Sequence, residues 1–199
     1  MKKINEIFYS LQGEGFNAGI PSVFLRFSGC NLSCEFCDTC HEDGVLMEDQ
    51  EIASAISSFP GKWIILTGGE PALWIDMEFI DFLKKSTGKK IAIETNGTRA
   101  LPDNLDWVTV SPKTGFKGGS KEELKVKRAN EVKVIYMGQN LEEYFNFPFV
   151  NNETVMSLQP CYVPDEESFK HNVDSAVAKV LSDPRWRLSL QLHRFLGIK

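Results

Sequence analysis

A chain of 199 residues, 42% apolar and 25% charged, has the composition of a globular protein large enough for one good core. Its net charge of −5 argues against the usual basic nucleic-acid-binding domain, although an acidic enzyme can still hold an anion in a local pocket. No apolar run reaches the roughly 20 residues of a membrane span, and "MKKINEIFYS" lacks the apolar segment of a signal peptide, so the expected location is cytoplasmic, with neither membrane nor nucleic acid as partner.

In chain order, "INEIFYS" (4–10) and "PSVFLRF" (21–27) predict two strands, separated by the glycine-bearing "LQGEGFNAG". The segment "RFSGCNLSCEFCDTCHE" (26–42) follows, with four of the five cysteines: Cys30, Cys34, Cys37 and Cys40. Ile52, Ala55, Ile56 and Phe59 recur at helical spacing. "WIIL" (63–66) is a short continuous apolar run, as in a buried parallel strand. Ile75, Phe79, Phe82 and Leu83 predict a second helix, and "IAIE" (91–94) another strand. "WVTV" (107–110), "VKVIY" (132–136), "VMSLQ" (155–159) and "LSLQL" (188–192) predict four more. Between 95 and 150 helical periodicity is weaker, and "TGFKGGSKEELK" (114–125) is the most loop-like stretch. After "VPDEES", Phe169, Val173, Val177, Val180 and Leu181 share one helix face, behind the proline and acids that favour a helix start.

Strands alternating with helices imply an α/β fold with a mainly parallel sheet. The chain is shorter than the roughly 250 residues of a complete eight-unit barrel. A partial barrel or open curved sheet, forming a single domain over residues 1–199, is the expectation. Ligands in such folds gather at the C-terminal ends of the strands. There lie Gly13 and Gly15, the cysteine loop, "TGGEP" (67–71), "ETNGT" (94–98), "SPK" (111–113) and "QPCY" (159–162). One such turn is ordinary; six on one rim point to a site.

A cytoplasmic chain keeps its thiols reduced, so a disulfide framework is disfavoured. Thiolates suit both zinc and iron–sulfur clusters, and residue type alone does not separate them. Structural zinc usually takes two ligand pairs separated by a longer loop. Cys30, Cys34 and Cys37, spaced Cys-x3-Cys-x2-Cys, can hold three irons of a cubane and leave the fourth open.

"CNLSCEFC" resembles the cluster motif of the radical S-adenosylmethionine (SAM) superfamily, and "TGGEP" resembles its methionine-binding glycine motif. "LQGEG", "FLRFSGC", "CDT", "ETNGT", "VSPK", "LQP" and "WRLSLQLHRFLGIK" extend the resemblance over nearly the whole chain, to the 7-carboxy-7-deazaguanine synthase family. That resemblance implies a truncated, modified (β/α) barrel, usually a homodimer. It implies radical ring contraction of 6-carboxy-5,6,7,8-tetrahydropterin to 7-carboxy-7-deazaguanine with loss of ammonia, on the way to queuosine. It also implies a 4Fe-4S cluster, SAM, Mg2+ and a flavodoxin-type or similar reductant.

The resemblance makes Cys30, Cys34 and Cys37 the iron ligands. It sets Phe36, Cys37, Asp38, Ser111, Pro112, Lys113, Gln159, Pro160, Cys161 and Tyr162 against SAM. Gly68 and Gly69 would let backbone approach the methionine amine, Glu70 would accept from it, and Glu94 and Asn96 would contact ribose or methionine. Leu11, Gln12, Gly13, Glu14, Arg26, Thr67 and Lys199 would line the pterin pocket, with Arg26 on the substrate carboxylate. A surface ion pair is the plainer reading of Arg26. Thr39 would give Mg2+ one oxygen, the remainder coming from water and substrate; otherwise it caps a turn. Cys40 exceeds the three thiols needed and is read as incidental, with an alternative ligand or an oxidation site as the other possibilities. Cys161 would be an apolar filler, His41 a bystander, His193 a neighbour of the substrate pocket and His171 solvent-facing. Two rivals remain: another radical SAM enzyme such as a glycyl-radical activase, and a zinc module closed by all four thiols of the loop.

Overall fold

The computed structural model describes residues 1–121 and 123–199; one position of the loop expected over 114–125 lies outside the described residues. The strands are β1 (Lys2–Leu11), β2 (Pro21–Phe27), β3 (Val45–Met47), β4 (Trp63–Gly68), β5 (Lys90–Thr95), β6 (Trp107–Val110), β7 (Glu131–Tyr136), β8 (Val155–Pro160) and β9 (Arg187–Leu188). The α-helices are α1 (Asp49–Ser57), α2 (Met77–Thr87), α3 (Glu166–Ser182) and α4 (Leu192–Leu196). Among the described residues the strands form one nine-stranded sheet in the order β3-β1-β2-β4-β5-β6-β7-β8-β9. β1 is antiparallel to both neighbours. From β2 onward every pairing is parallel, each strand added beside the last as in a barrel that does not close.

Side chains alternate across each strand, so one strand serves two environments. Val23, Leu25 and Phe27 of β2, Ile64 and Leu66 of β4, and Ile91 and Ile93 of β5 face outward against Ile52 and Ile56 of α1 and Phe79, Ile80 and Leu83 of α2. Each such side chain contributes about 1.5–3 kcal/mol when fully buried. Facing inward, Phe24, Ile65 and Ala92 close the floor with Phe8, Trp63 and Trp107. Phe8 and Phe24 stack there with centroids 4.8 Å apart. Two residues further along the same strands the inward positions are Arg26, Thr67 and Glu94. The strands therefore run from an apolar plug to a polar mouth.

The helix starts are locally encoded. Glu48 and Glu51 form a capping box on α1. Asp76 accepts from the Phe79 N–H at 2.8 Å to start α2, and Gly88 ends it in the left-handed region at φ 67°. Ile75 therefore lies before the cap, outside the helix expected to include it. Leu181 is 81% exposed although it was expected on the buried face of α3. It sits about 100° round the helix from Val180, so the two cannot share the stripe centred on buried Ala176. The strand expected over 188–192 also fails. β9 stops at Leu188, after which Ser189 N–H bonds to the Leu158 carbonyl and Leu192 N–H to that of Gly13, opening α4. Alternating leucines mimicked a strand, while the intervening Gln191 turns into the site. β3 was missed because a three-residue edge strand leaves little pattern. Along the described residues between β5 and β7 no α-helix forms.

Candidate active site

The C-terminal ends of the parallel strands open onto a cavity of about 500 Å3, a size suited to small-molecule ligands. Its wall includes Leu11–Glu14 after β1, Arg26, Cys30, Cys34, Phe36–Thr39, Thr67 and Gly69. It continues through Glu94, Asn96, Ser111, Lys113, Gln159–Tyr162 and Lys199. Glu70 and Pro112, also expected to face SAM, are not on it. Glu70 is fully buried behind the wall. Its carboxylate accepts from Ala72 N–H (3.0 Å), Thr95 Oγ1–H (2.7 Å) and Asn96 N–H (2.7 Å). Burial pushes its acid upward while these bonds pull it down. Glu70 thus ties the "TGGEP" turn to the "ETNGT" turn instead of presenting a free acceptor.

The glycines answer to packing as well. A Cβ on Gly69 would lie 2.0 Å from the Gly29 carbonyl oxygen and 2.9 Å from Cys30 N. Gly68 has φ +126° and would press a Cβ to 2.1 Å from the Phe27 carbonyl. Both let the end of β4 lie flush on the root of the cysteine loop. Gly69→Ala is expected to displace Cys30, lowering Tm and iron retention together; a variant with unchanged iron content would show that the loop tolerates the shift.

Cys30 and Cys34 are half-buried, Cys37 is exposed, and all three line the cavity, whereas Cys40 is exposed and off its wall. Burial raises the Cys30 and Cys34 thiols, and Lys113 draws that of Cys34 back down. The loop is pinned from outside. Ser33 N–H bonds to Gly118 O at 3.0 Å, and Asn31 links to Thr98 Oγ1 at 2.8 Å and Asn96 at 3.1 Å. Among the described residues, no three His, Cys, Asp or Glu side chains converge on a single point. Three thiols on one cavity wall, with Cys40 off it, are a donor set that fits a cluster held by three thiolates.

Across the cavity lies a buried electrostatic relay. Lys133 Nζ is 2.6 Å from Glu14 Oε2 and 2.9 Å from Glu94 Oε2, its side chain 5% exposed. Gln12 Nε2 donates to Glu94 Oε1 (3.2 Å), and Gln191 Nε2 donates to Glu14 Oε1 (2.8 Å). Gln191 also reaches Asp38 Oδ2 (3.2 Å), which Arg194 holds at 2.6 Å. Arg194 lies 3.5 Å above the Tyr162 ring. Burial alone would raise the Glu14 acid, but Lys133 outweighs it and holds Glu14 at about 2. At Glu94 burial wins over Lys133, and the acid stands at about 7. Burial lowers His193, whose ring abuts Gly13.

Arg26 also lines the cavity, over Phe8 at 5.6 Å, and its Glu6 contact is only 3.9 Å. Its Nε is buried without a hydrogen-bond partner, a cost a ligand anion would relieve. The Lys199 carbonyl accepts from Ser10 Oγ at 2.6 Å, which seats that residue on the wall. Thr39 is half-buried on the wall beside Asp38. Sequence reasoning missed Lys133, Gln191 and Arg194. A signal existed for Lys133: in "VKVIY" it is a lone cation among apolar residues, the same pattern that marked Arg26 in "VFLRF".

Residues 25–144 match the family described as the Radical SAM superfamily. A 7-carboxy-7-deazaguanine synthase of Bacteroides thetaiotaomicron is 51% identical over 199 residues, covering 100% of both chains. One from Nitratidesulfovibrio vulgaris is 39% identical, covering 98% of each. Among solved structures, QueE from Escherichia coli superposes with a TM-score of 0.74 at 28% identity, covering 96% of this chain and 94% of that one.

Proposed function

Because the chain belongs to the radical SAM superfamily and, within it, to the 7-carboxy-7-deazaguanine synthases, we propose how its residues divide the work of that enzyme. The reaction is the ring contraction of 6-carboxy-5,6,7,8-tetrahydropterin to 7-carboxy-7-deazaguanine with release of ammonia, in the queuosine pathway. The single observation behind the division is that three thiols and an arginine whose buried Nε has no hydrogen-bond partner line one cavity.

Cys30, Cys34 and Cys37 hold the 4Fe-4S cluster. When bound, the cluster and SAM supply the one-electron chemistry that starts the contraction. Phe36, Asp38, Gly69, Glu94, Asn96, Ser111, Lys113, Gln159, Pro160, Cys161 and Tyr162 form the SAM side. Glu70 and Pro112 support it from behind. Leu11, Gln12, Gly13, Glu14, Thr67 and Lys199 surround the pterin, whose carboxylate meets Arg26. Support comes from chemistry: Gln12 and Glu14 offer donor and acceptor groups to a ring edge, and Arg26 offers a planar fork.

Thr39 gives Mg2+ one oxygen, its place on the cavity wall beside Asp38 supporting that reading. Thr39→Ala is expected to lower turnover by about tenfold and flatten its response to added Mg2+; an unchanged Mg2+ dependence would take Thr39 out of the metal site. Residues 1–199 work as a single domain, in keeping with one sheet that joins both ends of the chain. The enzyme works as a homodimer in the cytoplasm, reduced by a flavodoxin-type partner. Exposed Phe195, Leu196 and Ile198 favour a second copy, and five free thiols favour a reducing compartment. Among the described residues, no helix is long and apolar enough to cross a membrane.

The test uses protein reconstituted anaerobically with iron and sulfide and then reduced. With SAM, Mg2+ and the carboxytetrahydropterin, mass spectrometry should find 7-carboxy-7-deazaguanine beside 5′-deoxyadenosine. 5′-Deoxyadenosine alone would move the search to another substrate and revive the activase reading.

A further inference from the structure

Lys133 is the most enclosed charge on the cavity wall, and it touches one residue from each side of the proposed site. On β7 it faces inward, 2.6 Å from Glu14 and 2.9 Å from Glu94. Glu14 comes from the loop after β1, 119 positions away in sequence, and Glu94 from the end of β5, 39 positions away. The remaining oxygen of Glu14 is held by Gln191. Both carboxylate oxygens of Glu14 are therefore braced from behind, and its orientation is set before any ligand arrives.

We infer that Lys133 is a positioning residue for the pterin: it holds Glu14 as an oriented carboxylate, which accepts the ring's N–H donors. This rests on the pterin reading above. Glu14 touches the substrate, and Lys133 acts through it. A carboxylate buried beside a second carboxylate does not stay ionised without a cation, as Glu14 is required to do here. Lys133 is that cation, which explains a lysine where a parallel strand otherwise favours Val or Ile.

Other charges also face this cluster: Glu131 from β7 itself, Lys113 after β6, His193 and Arg194 from α4, and Asp38 from the cysteine loop. Glu131 is already satisfied by Phe16 N–H (2.9 Å), Ser157 Oγ (2.5 Å) and Thr109 Oγ1 (3.2 Å). Lys113 is engaged with Ser111 Oγ at 2.6 Å. Neither replaces Lys133 at Glu14.

The experiment measures equilibrium binding of 6-carboxytetrahydropterin to cluster-loaded, SAM-bound, unreduced enzyme, so no turnover intervenes. Lys133→Met should weaken pterin binding by about tenfold or more at neutral pH, and SAM binding, through Glu94, by a smaller factor. The ratio of wild-type to variant affinity should grow as the pH is lowered, because Glu14 without its cation takes up a proton at a higher pH than with it. Lys133→Arg should restore most of the affinity and leave the ratio flat. Glu14→Gln should cost a similar factor with no such pH trend. Lys133→Met added to Glu14→Gln should then cost less than about twofold, since its route of action is already gone. That double variant also removes the uncompensated carboxylate pair, so it reports even if Lys133→Met does not fold. Wild-type affinity in Lys133→Met, or fully additive losses, would overturn the inference. A wild-type enzyme that binds SAM but not the pterin would instead sink the pterin reading, and this inference with it.

Discussion

Cys30→Ala, Cys34→Ala and Cys37→Ala should each give a protein that folds but neither retains a 4Fe-4S cluster nor cleaves SAM, whereas Cys40→Ala should do both normally. The three thiols share the cavity wall and the fourth does not. A cluster left with two protein thiolates loses a covalent anchor for one iron, a loss the loop cannot compensate from a distance. The core is untouched by these changes, because the loop is held by backbone and amide contacts at Asn31 and Ser33 rather than by its thiols. Iron content, the brown absorption of the reconstituted protein and 5′-deoxyadenosine yield read the outcome. Equal loss in Cys40→Ala would show that the ligand set includes the residue outside the wall.

The second large effect belongs to Arg26. Arg26→Leu should reduce kcat/KM for the pterin by roughly a hundredfold or more, about 3 kcal/mol, through KM above all. In the structure its Nε is buried and unpartnered, and its nearest carboxylate, on Glu6, stands 3.9 Å away. A structural ion pair would be closer; a guanidinium kept for a ligand would look like this. Burial lowers the Arg26 pKa, but arginine remains charged at any physiological pH. Arg26→Lys should recover only part of the loss, since an ammonium supplies no planar fork. SAM cleavage without pterin should be unaffected in both variants. A KM equal to that of wild type in Arg26→Leu would return Arg26 to the status of a surface ion-pair residue.

Much of this was legible in the sequence because parallel strands announce themselves. "WIIL" and "IAIE" are apolar on both faces and end at glycine or polar turns, and those turns fall on one rim in the structure. The cysteine loop was legible as a metal-binding segment through its spacing, and as a cluster loop through the resemblance that "CNLSCEFC" carries. What stayed hidden depended on contacts distant in sequence. Glu70 reads as a free acceptor until the turn at Thr95 and Asn96 folds over it. Gln191 reads as part of a strand until its amide is seen bridging Glu14 and Asp38. Lys133 carried a local signal, a cation in an apolar strand, but its partners lie on other strands. Periodicity reports which face a residue takes; it is silent on who stands opposite.

The bond between Arg194 and Asp38 spans 156 positions. At about 5–20 residues per second, a ribosome finishes the cysteine loop roughly eight to thirty seconds before it delivers the arginine that steadies it. For that interval the thiols of a nascent chain hang on a segment whose far brace does not yet exist.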